Sequence, residues 1–312
     1  MRYNFCTLFD KNYLYRGLAL HTSLIEHCPD FKLWILCMDD TVYSVLKNMN
    51  LKNIELIALK DFEDPELLSI KNSRTSVEYC WTCTSSLPLY LLKKYPNLEN
   101  IAYLDADLFF YNSLKPIYDE FGNNSVLIIR HNYSKEYVHL EKRSGIYNVE
   151  MLIFQNDANA INCLDWWRKK CLECCSERYK NGKFGDQLYL NDWPQRFKKV
   201  KVLQHKGGGV APWNYKNYKI TQKNNKVYVD NNPLIFYHFH QLFIFRPNLI
   251  KLVRGYSLSK NVKKLIYYPY LESLRLVMNK SKTFLPDSHI GFKKREIYKD
   301  IIRPTISKII KK

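Results

Sequence analysis

The sequence predicts an α/β protein with a mostly parallel sheet flanked by helices, and three observations predict it. Through the first 130 residues, strand-like runs alternate with stretches of helical length, the pattern of βαβ units. The 312 residues, 46% hydrophobic and 15% aromatic, are ample for a large core and exclude wholesale disorder. The third is Tyr103-Leu104-Asp105-Ala106-Asp107-Leu108-Phe109-Phe110-Tyr111, where two carboxylates one residue apart sit in an apolar, aromatic run. They follow a strand at Ile101–Leu104, and open α/β sheets bind ligands at strand ends.

In order, Tyr3–Phe9 reads as a strand and Leu14–His27 as a helix. Phe31–Met38 (FKLWILCM) is an apolar strand ending at two aspartates, followed by a helix over Val42–Met49 and a short strand over Ile54–Ala58. Ser76–Lys94 is helical and leads to the acidic strand. Ser125–Arg130 and Val149–Phe154 are strands, and a helix spans Ala158–Tyr179. Phe184–Gln187 opens a short helix through Asn191. Val200–Leu203, Lys226–Val229 and Leu234–Phe239 are the later strands, with the glycines Gly207–Gly209 after the first of them. A single domain to about residue 250 and a basic, partly helical extension over 251–312 complete the organisation.

Several classes lose support. No G-x-G-x-x-G follows the first strand and no G-x-x-x-x-G-K-[ST] occurs, against Rossmann dehydrogenases and P-loop NTPases. No apolar run approaches the roughly 18–20 residues of a membrane span, and Met1–Phe5 lacks a signal-peptide core. These features predict a cytoplasmic protein, or one peripheral on the inner face of the cell membrane. The nine cysteines form no even framework. Cys80-x-x-Cys83 and Cys171-x-x-Cys174 raise a zinc site, but their helical setting suits small buried apolar side chains.

Charge is uneven. Residues 1–160 hold 16 Lys/Arg and 20 Asp/Glu, net −4, and residues 161–312 hold 32 and 10, net +22. Charge alone admits nucleic acid, anionic membrane or polyphosphate ligands. A nucleic-acid role leaves the acidic pair unexplained, so none is expected. Phe292–Lys312 carries eight Lys/Arg against two acids with six isoleucines broadly on one stripe, a pattern suited to an anionic membrane surface.

Carboxylates among aromatics need a partner, and a hard divalent ion, Mn²⁺ or Mg²⁺, that shares its shell with phosphates supplies one. His238 and His240 share one face of their strand by alternation, so either could complete a site with Asp105 and Asp107. His205, beside the glycines, is the third candidate. A strand end holds a ligand more rigidly than a triple-glycine loop, which favours His238 or His240.

With these segments in order, the sequence resembles the nucleotide-sugar glycosyltransferases of the GT-A fold, of the family-8 type that includes glycogenin and bacterial lipopolysaccharide galactosyltransferases. The resemblance covers about residues 3–245. It implies that the opening strand and turn, with Thr7, Asp10, Asn12 and Tyr13, meet the nucleotide, and that Asp105 and Asp107 form the D-x-D pair. Tyr147–Phe154 resembles the family's Asn-x-Gly-x-x-Leu strand, so Asn148 would approach the donor sugar; Glu150 stands where the family has Gly. Phe184-Gly185-Asp186-Gln187 resembles its Asp-Gln segment, which implies catalytic roles for Asp186 and Gln187, although Asp186 also suits a plain helix N-cap. His205–Tyr215 resembles its His-x-x-Gly-x-x-Lys-Pro-Trp loop. This implies donor contacts from Gly207, Gly208, Trp213 and Asn214, with Ala211 in place of Lys and Lys206, Arg74 or Arg143 as substitute cations. The implied partners are a nucleoside-diphosphate sugar, of UDP type, and a glycan or lipid-linked acceptor. A sugar-1-phosphate nucleotidyltransferase would carry a Gly-rich, Arg-containing loop where this chain has Phe9–Tyr13. A non-catalytic sugar-nucleotide-binding protein is the other alternative, drawn from Glu150 and Ala211.

Overall fold

The computed structural model describes residues 2–179, 182–286 and 289–293. Its centre is a seven-stranded sheet. In chain order the strands and their helices are β1 (Tyr3–Phe9), α1 (Leu14–His27), β2 (Phe31–Cys37), α2 (Asp40–Met49) and β3 (Ile54–Ala58). Then come α3 (Leu59–Phe62), α4 (Pro65–Lys71), α5 (Ser76–Lys94), β4 (Asn100–Leu104), β5 (Leu108–Phe110) and α6 (Lys115–Phe121). After β6 (Val126–Arg130) and the short α7 (Glu141–Ser144) follow β7 (Tyr147–Gln155), α8 (Ala158–Glu173), α9 (Trp193–Arg196) and β8 (Val200–Val202). The sheet order is β3-β2-β1-β4-β7-β6-β8, and every pairing is parallel except those of β7 with β4 and β6.

Each strand's alternate side chains feed two cores, one on either face of the sheet. On β2, Leu33, Ile35 and Cys37 join α1, α2 and α6 on one face, while Trp34 and Leu36 join α5 and α8 on the other. Burial on both sides is why these strands read as unbroken apolar runs. The second face also takes in Cys83, Cys163, Cys171 and Cys175, all buried, with Cys80-x-x-Cys83 inside α5.

Beyond the sheet, β9 (Ile220–Lys223), β10 (Lys226–Val229) and β11 (Asn232–Pro233) form a small antiparallel sheet. Next, β12 (Phe236–His238) pairs antiparallel with β5, setting Phe236 against Phe110 and His238 against Leu108. A hairpin of β13 (Phe243–Arg246) and β14 (Leu249–Lys251) leads to α10 (Lys260–Val262), a π-turn over Lys263–Tyr267 and α11 (Tyr268–Ser281). This end of the chain packs into the first core: Leu265, Ile266, Tyr267 and Tyr270 are buried there, and Tyr270 stacks on Phe239 with ring centroids 3.7 Å apart.

Two expectations shift. The helix predicted to reach Tyr179 stops at Glu173, where Cys174 turns extended. There Arg74 closes the helix end: its Nη2 donates to the carbonyls of Cys171 (3.3 Å) and Leu172 (2.9 Å), and its Nη1 to that of Cys175 (3.1 Å), satisfying carbonyls that a helix terminus leaves open. The basic stripe predicted at the C-terminus lies, from residue 294 onward, outside the described residues. Among those described, no helix is long and apolar enough to cross a membrane.

Candidate functional site

Asp105 and Asp107 occupy the turn between β4 and β5, at the carboxyl end of β4. The turn is fixed by its main chain. The Asp105 amide donates to the Glu150 carbonyl (2.8 Å), and the Asp107 carbonyl accepts from the Phe239 amide (3.0 Å). The second bond belongs to the chain leaving β12, and β12 is what carries His238 across to the acidic pair. His238 Nε2 lies 3.1 Å from Asp107 Oδ1 and 3.8 Å from Asp105 Oδ2. One ligand atom from each of the three residues falls within 4.8 Å of the others. Two carboxylates and an imidazole nitrogen at this spacing are a donor set that Mn²⁺ or Mg²⁺ accepts, with room in the shell for phosphate oxygens. The residues fit the ion.

The surrounding groups set the electrostatics. Burial pushes the Asp105 carboxyl above its usual range against the pull of His238, and Tyr103 donates its hydroxyl to Asp105 Oδ1 at 3.0 Å. Burial works against the Asp107 charge too, but His238, by charge and hydrogen bond, with His240 and Arg16, outweighs it and holds this carboxylate below its usual range. Arg16 gave no sequence signal, because one arginine on an amphipathic helix looks like a solvated charge. The structure buries it to 5% exposure and ties it to the carbonyls of Asn12 (3.1 Å) and Leu242 (2.6 Å).

Of the other sequence candidates, Tyr13 stands over Arg16 with 4.5 Å between guanidinium carbon and ring centroid. Asp10 closes a local turn, accepting from the Asn12 amide (3.0 Å) and side chain (2.7 Å). Thr7 is buried with an unpartnered hydroxyl. Asp186 is 5% exposed and makes no capping hydrogen bond to the turn it precedes; burial first, and then the nearby Asp105 charge, lift its carboxyl well above the usual range. Gln187 follows it, half-buried. His240 stands beside the cluster, its ring 5.6 Å from that of His238, while Trp213 meets both histidines edge-on at 5.3 Å. Burial, and then the His238 charge, lower its pKa to about 4.

Others are engaged elsewhere. The amides of Gly207 and Gly208, expected to cradle phosphates, donate to Nδ1 and the carbonyl of His205 (3.1 Å each). Asn214 bonds the His131 carbonyl (2.8 Å), the Gly209 carbonyl (2.7 Å) and the Ala211 amide (2.9 Å). Of the substitute cations, Arg74 closes α8, Lys206 pairs with Asp230 at 2.7 Å, and Arg143 lies over the Phe184 ring at 4.8 Å. Asn148 bonds Glu150 rather than projecting freely: its Nδ2 is 3.2 Å from Glu150 Oε2, and its Oδ1 accepts from the Glu150 amide at 3.1 Å.

A mostly parallel α/β sheet with an Asp-x-Asp-His cluster beyond the carboxyl end of β4 is the architecture of a GT-A glycosyltransferase. A family model, glycosyl transferase family 8, matches residues 4–236, and the chain belongs to that family. Among curated proteins it is similar to two uncharacterized proteins of Bacillus subtilis (strain 168). YfnD is 32% identical over 293 residues, 93% of this chain and 94% of that protein. YfnF is 32% identical over 299 residues, 94% and 98% of the two. Among solved structures it is similar in fold to the galactosyltransferase LgtC in complex with donor and acceptor sugar analogs (TM-score 0.54, 13% identity, 95% of this chain and 99% of that one). It is also similar to the glycosyltransferase GlyE of Streptococcus pneumoniae TIGR4 (TM-score 0.53, 16% identity, 92% and 65%).

Proposed function

We propose that the protein transfers a hexosyl group from a nucleoside-diphosphate sugar, a UDP-sugar, to a glycan, lipopolysaccharide or polysaccharide acceptor, with retention of configuration. The observation that carries this is the convergence of Asp105, Asp107 and His238 in a family-8 chain. A divalent ion held by these three, Mn²⁺ or Mg²⁺, supplies charge neutralisation for a departing diphosphate. The chain's own groups do the rest. Arg16 adds a buried positive charge near Asp107. Tyr13 offers a ring at the edge of the site, where the resemblance places the nucleotide. Asp186, buried beside the cluster, meets a hydroxyl of the donor sugar or the acceptor, and Gln187 lies beside the anomeric carbon.

The test is a thermal-shift panel of UDP, GDP, CDP and UDP-sugars, each with and without Mn²⁺, on wild type and Asp107→Ala. A ligand at 100 times its Kd stabilises the folded state by about 2.7 kcal/mol. Stabilisation by a uridine nucleotide that needs Mn²⁺ and vanishes in the variant is the expected result. No response to any nucleotide would overturn the donor assignment.

A further inference from the structure

Glu150 is the least expected residue around the cluster. Its side chain is fully buried. Oε2 lies 2.7 Å from His238 Nδ1 and also accepts from Asn148, while Oε1 has no hydrogen-bond partner. A buried carboxylate with an unpartnered oxygen costs stability, so the fold carries it against that cost. Its carbonyl meanwhile holds the Asp105 amide. One residue of β7 therefore grips the first ligand by its main chain and the last by its side chain.

Resting on the metal reading above, we propose that Glu150 is the positioning residue for His238. It accepts the Nδ1 proton, fixes the tautomer that leaves Nε2 free, and aims Nε2 at the ion shared with Asp105 and Asp107. A carboxylate on the far nitrogen of a ligating histidine orients the ring and raises the basicity of the ligating nitrogen, and losing such a partner typically costs 10–100-fold in metal affinity. The neighbours are arranged to keep this carboxylate in place. Asn148 clasps Glu150 through both atoms of its side-chain amide, Nδ2 on the carboxylate and Oδ1 on the main-chain amide. Gly209, at φ +77°, leaves the space Glu150 needs: a Cβ there would sit 3.0 Å from Oε1 and 2.6 Å from Ile129 Cγ2. A glycine at position 150 would keep the main-chain bond to Asp105 but would supply no carboxylate for His238.

The experiment titrates Mn²⁺ into the full chain, following free Mn²⁺ by electron paramagnetic resonance, for wild type, Glu150→Gln and Glu150→Ala. It also reads the imidazole ¹⁵N shifts of His238 in Mg²⁺-loaded wild type. Glu150→Ala is expected to weaken Mn²⁺ binding 10–100-fold. Glu150→Gln, which keeps an acceptor but no charge, is expected to fall between. The wild-type ring is expected to carry its proton on Nδ1. Wild-type uptake with unchanged affinity in both variants overturns the role of Glu150 alone, whereas a proton on Nε2 in the loaded wild type overturns that role and removes His238 from the ligand set as well. A wild type that takes up no Mn²⁺ overturns the metal reading and this proposal together. The ¹⁵N reading stands even where a variant does not fold.

Discussion

The strand β12 is clamped from two sides, and the two clamps are built on opposite plans. On one side runs the Asp105–Phe110 segment, whose main chain pairs with β12 and whose carboxylates stay turned towards His238. On the other runs the Gly207–Val210 loop. Its Gly207 carbonyl accepts from the Ile235 amide (2.8 Å) and the Phe236 amide (3.3 Å), and its Val210 carbonyl accepts from His238 (2.9 Å). The first clamp presents chemistry, while the second spends its backbone on holding the strand. Both match family motifs by sequence, the loop with Ala211 in place of Lys, so a motif match does not separate ligand from scaffold; the destination of each polar group does.

Breaking one clamp should therefore abolish activity, and breaking the other should abolish stability. Asp107→Asn keeps shape and removes charge. We expect kcat/KM to fall about 100-fold or more while the melting temperature of the ligand-free protein moves by no more than a few degrees. A variant that keeps its turnover would place the ion elsewhere. Gly207→Ala should do the reverse. Its Cβ would come 1.9 Å from the Pro233 carbonyl oxygen, a backbone atom that cannot swing aside. A loss near 3 kcal/mol, the upper end of the usual overpacking cost, should lower the melting temperature, with Mn²⁺ binding retained by the fraction still folded. An unchanged melting temperature would show that the loop does not hold β12.

The smallest expected effect is in pH. His131 anchors the far end of the glycine loop, its carbonyl accepting from Trp213 (2.9 Å) and Asn214 (2.8 Å), and burial lowers its ring pKa to about 3. The unfolded chain takes up that proton below about pH 6.5, while the native one does not until about pH 3. Stability is thus complete above the unfolded value and falls as pH drops between the two. From pH 7 to pH 5 the loss is on the order of 2 kcal/mol. His131→Phe, which keeps the stack on Tyr133, should flatten that slope in chemical denaturation curves. A parallel slope in the variant would assign the acid sensitivity to other groups.

The parallel sheet and the acidic pair were legible because their signals are local: βαβ alternation, and two carboxylates among aromatics. His238 was narrowed to one of two strand residues, because alternation puts it and His240 on the same face and only the pairing of β12 with β5 tells them apart. The partnership of Glu150 with His238 was not legible. The two residues are 88 positions apart, and from the motif alone Glu150 registers as a departure in backbone geometry rather than as a side chain with a partner. Short pieces such as β5 and α6 escaped for a related reason, since three to seven residues carry too little periodicity to show. The end of α8 escaped because it is set by Arg74, about a hundred residues upstream.

The stack of Tyr270 on Phe239 also bears on how the protein can be inherited. Phe239 lies between His238 and His240 in the chain, so the segment that carries both histidines rests on a ring that arrives with α11. A recombination joint near residue 250, where the family match has just ended, would separate His238 from that support. Exchange between related chains should leave working offspring where the crossover falls outside the stretch from Phe239 to Tyr270, or where the incoming segment brings an aromatic ring to the same place.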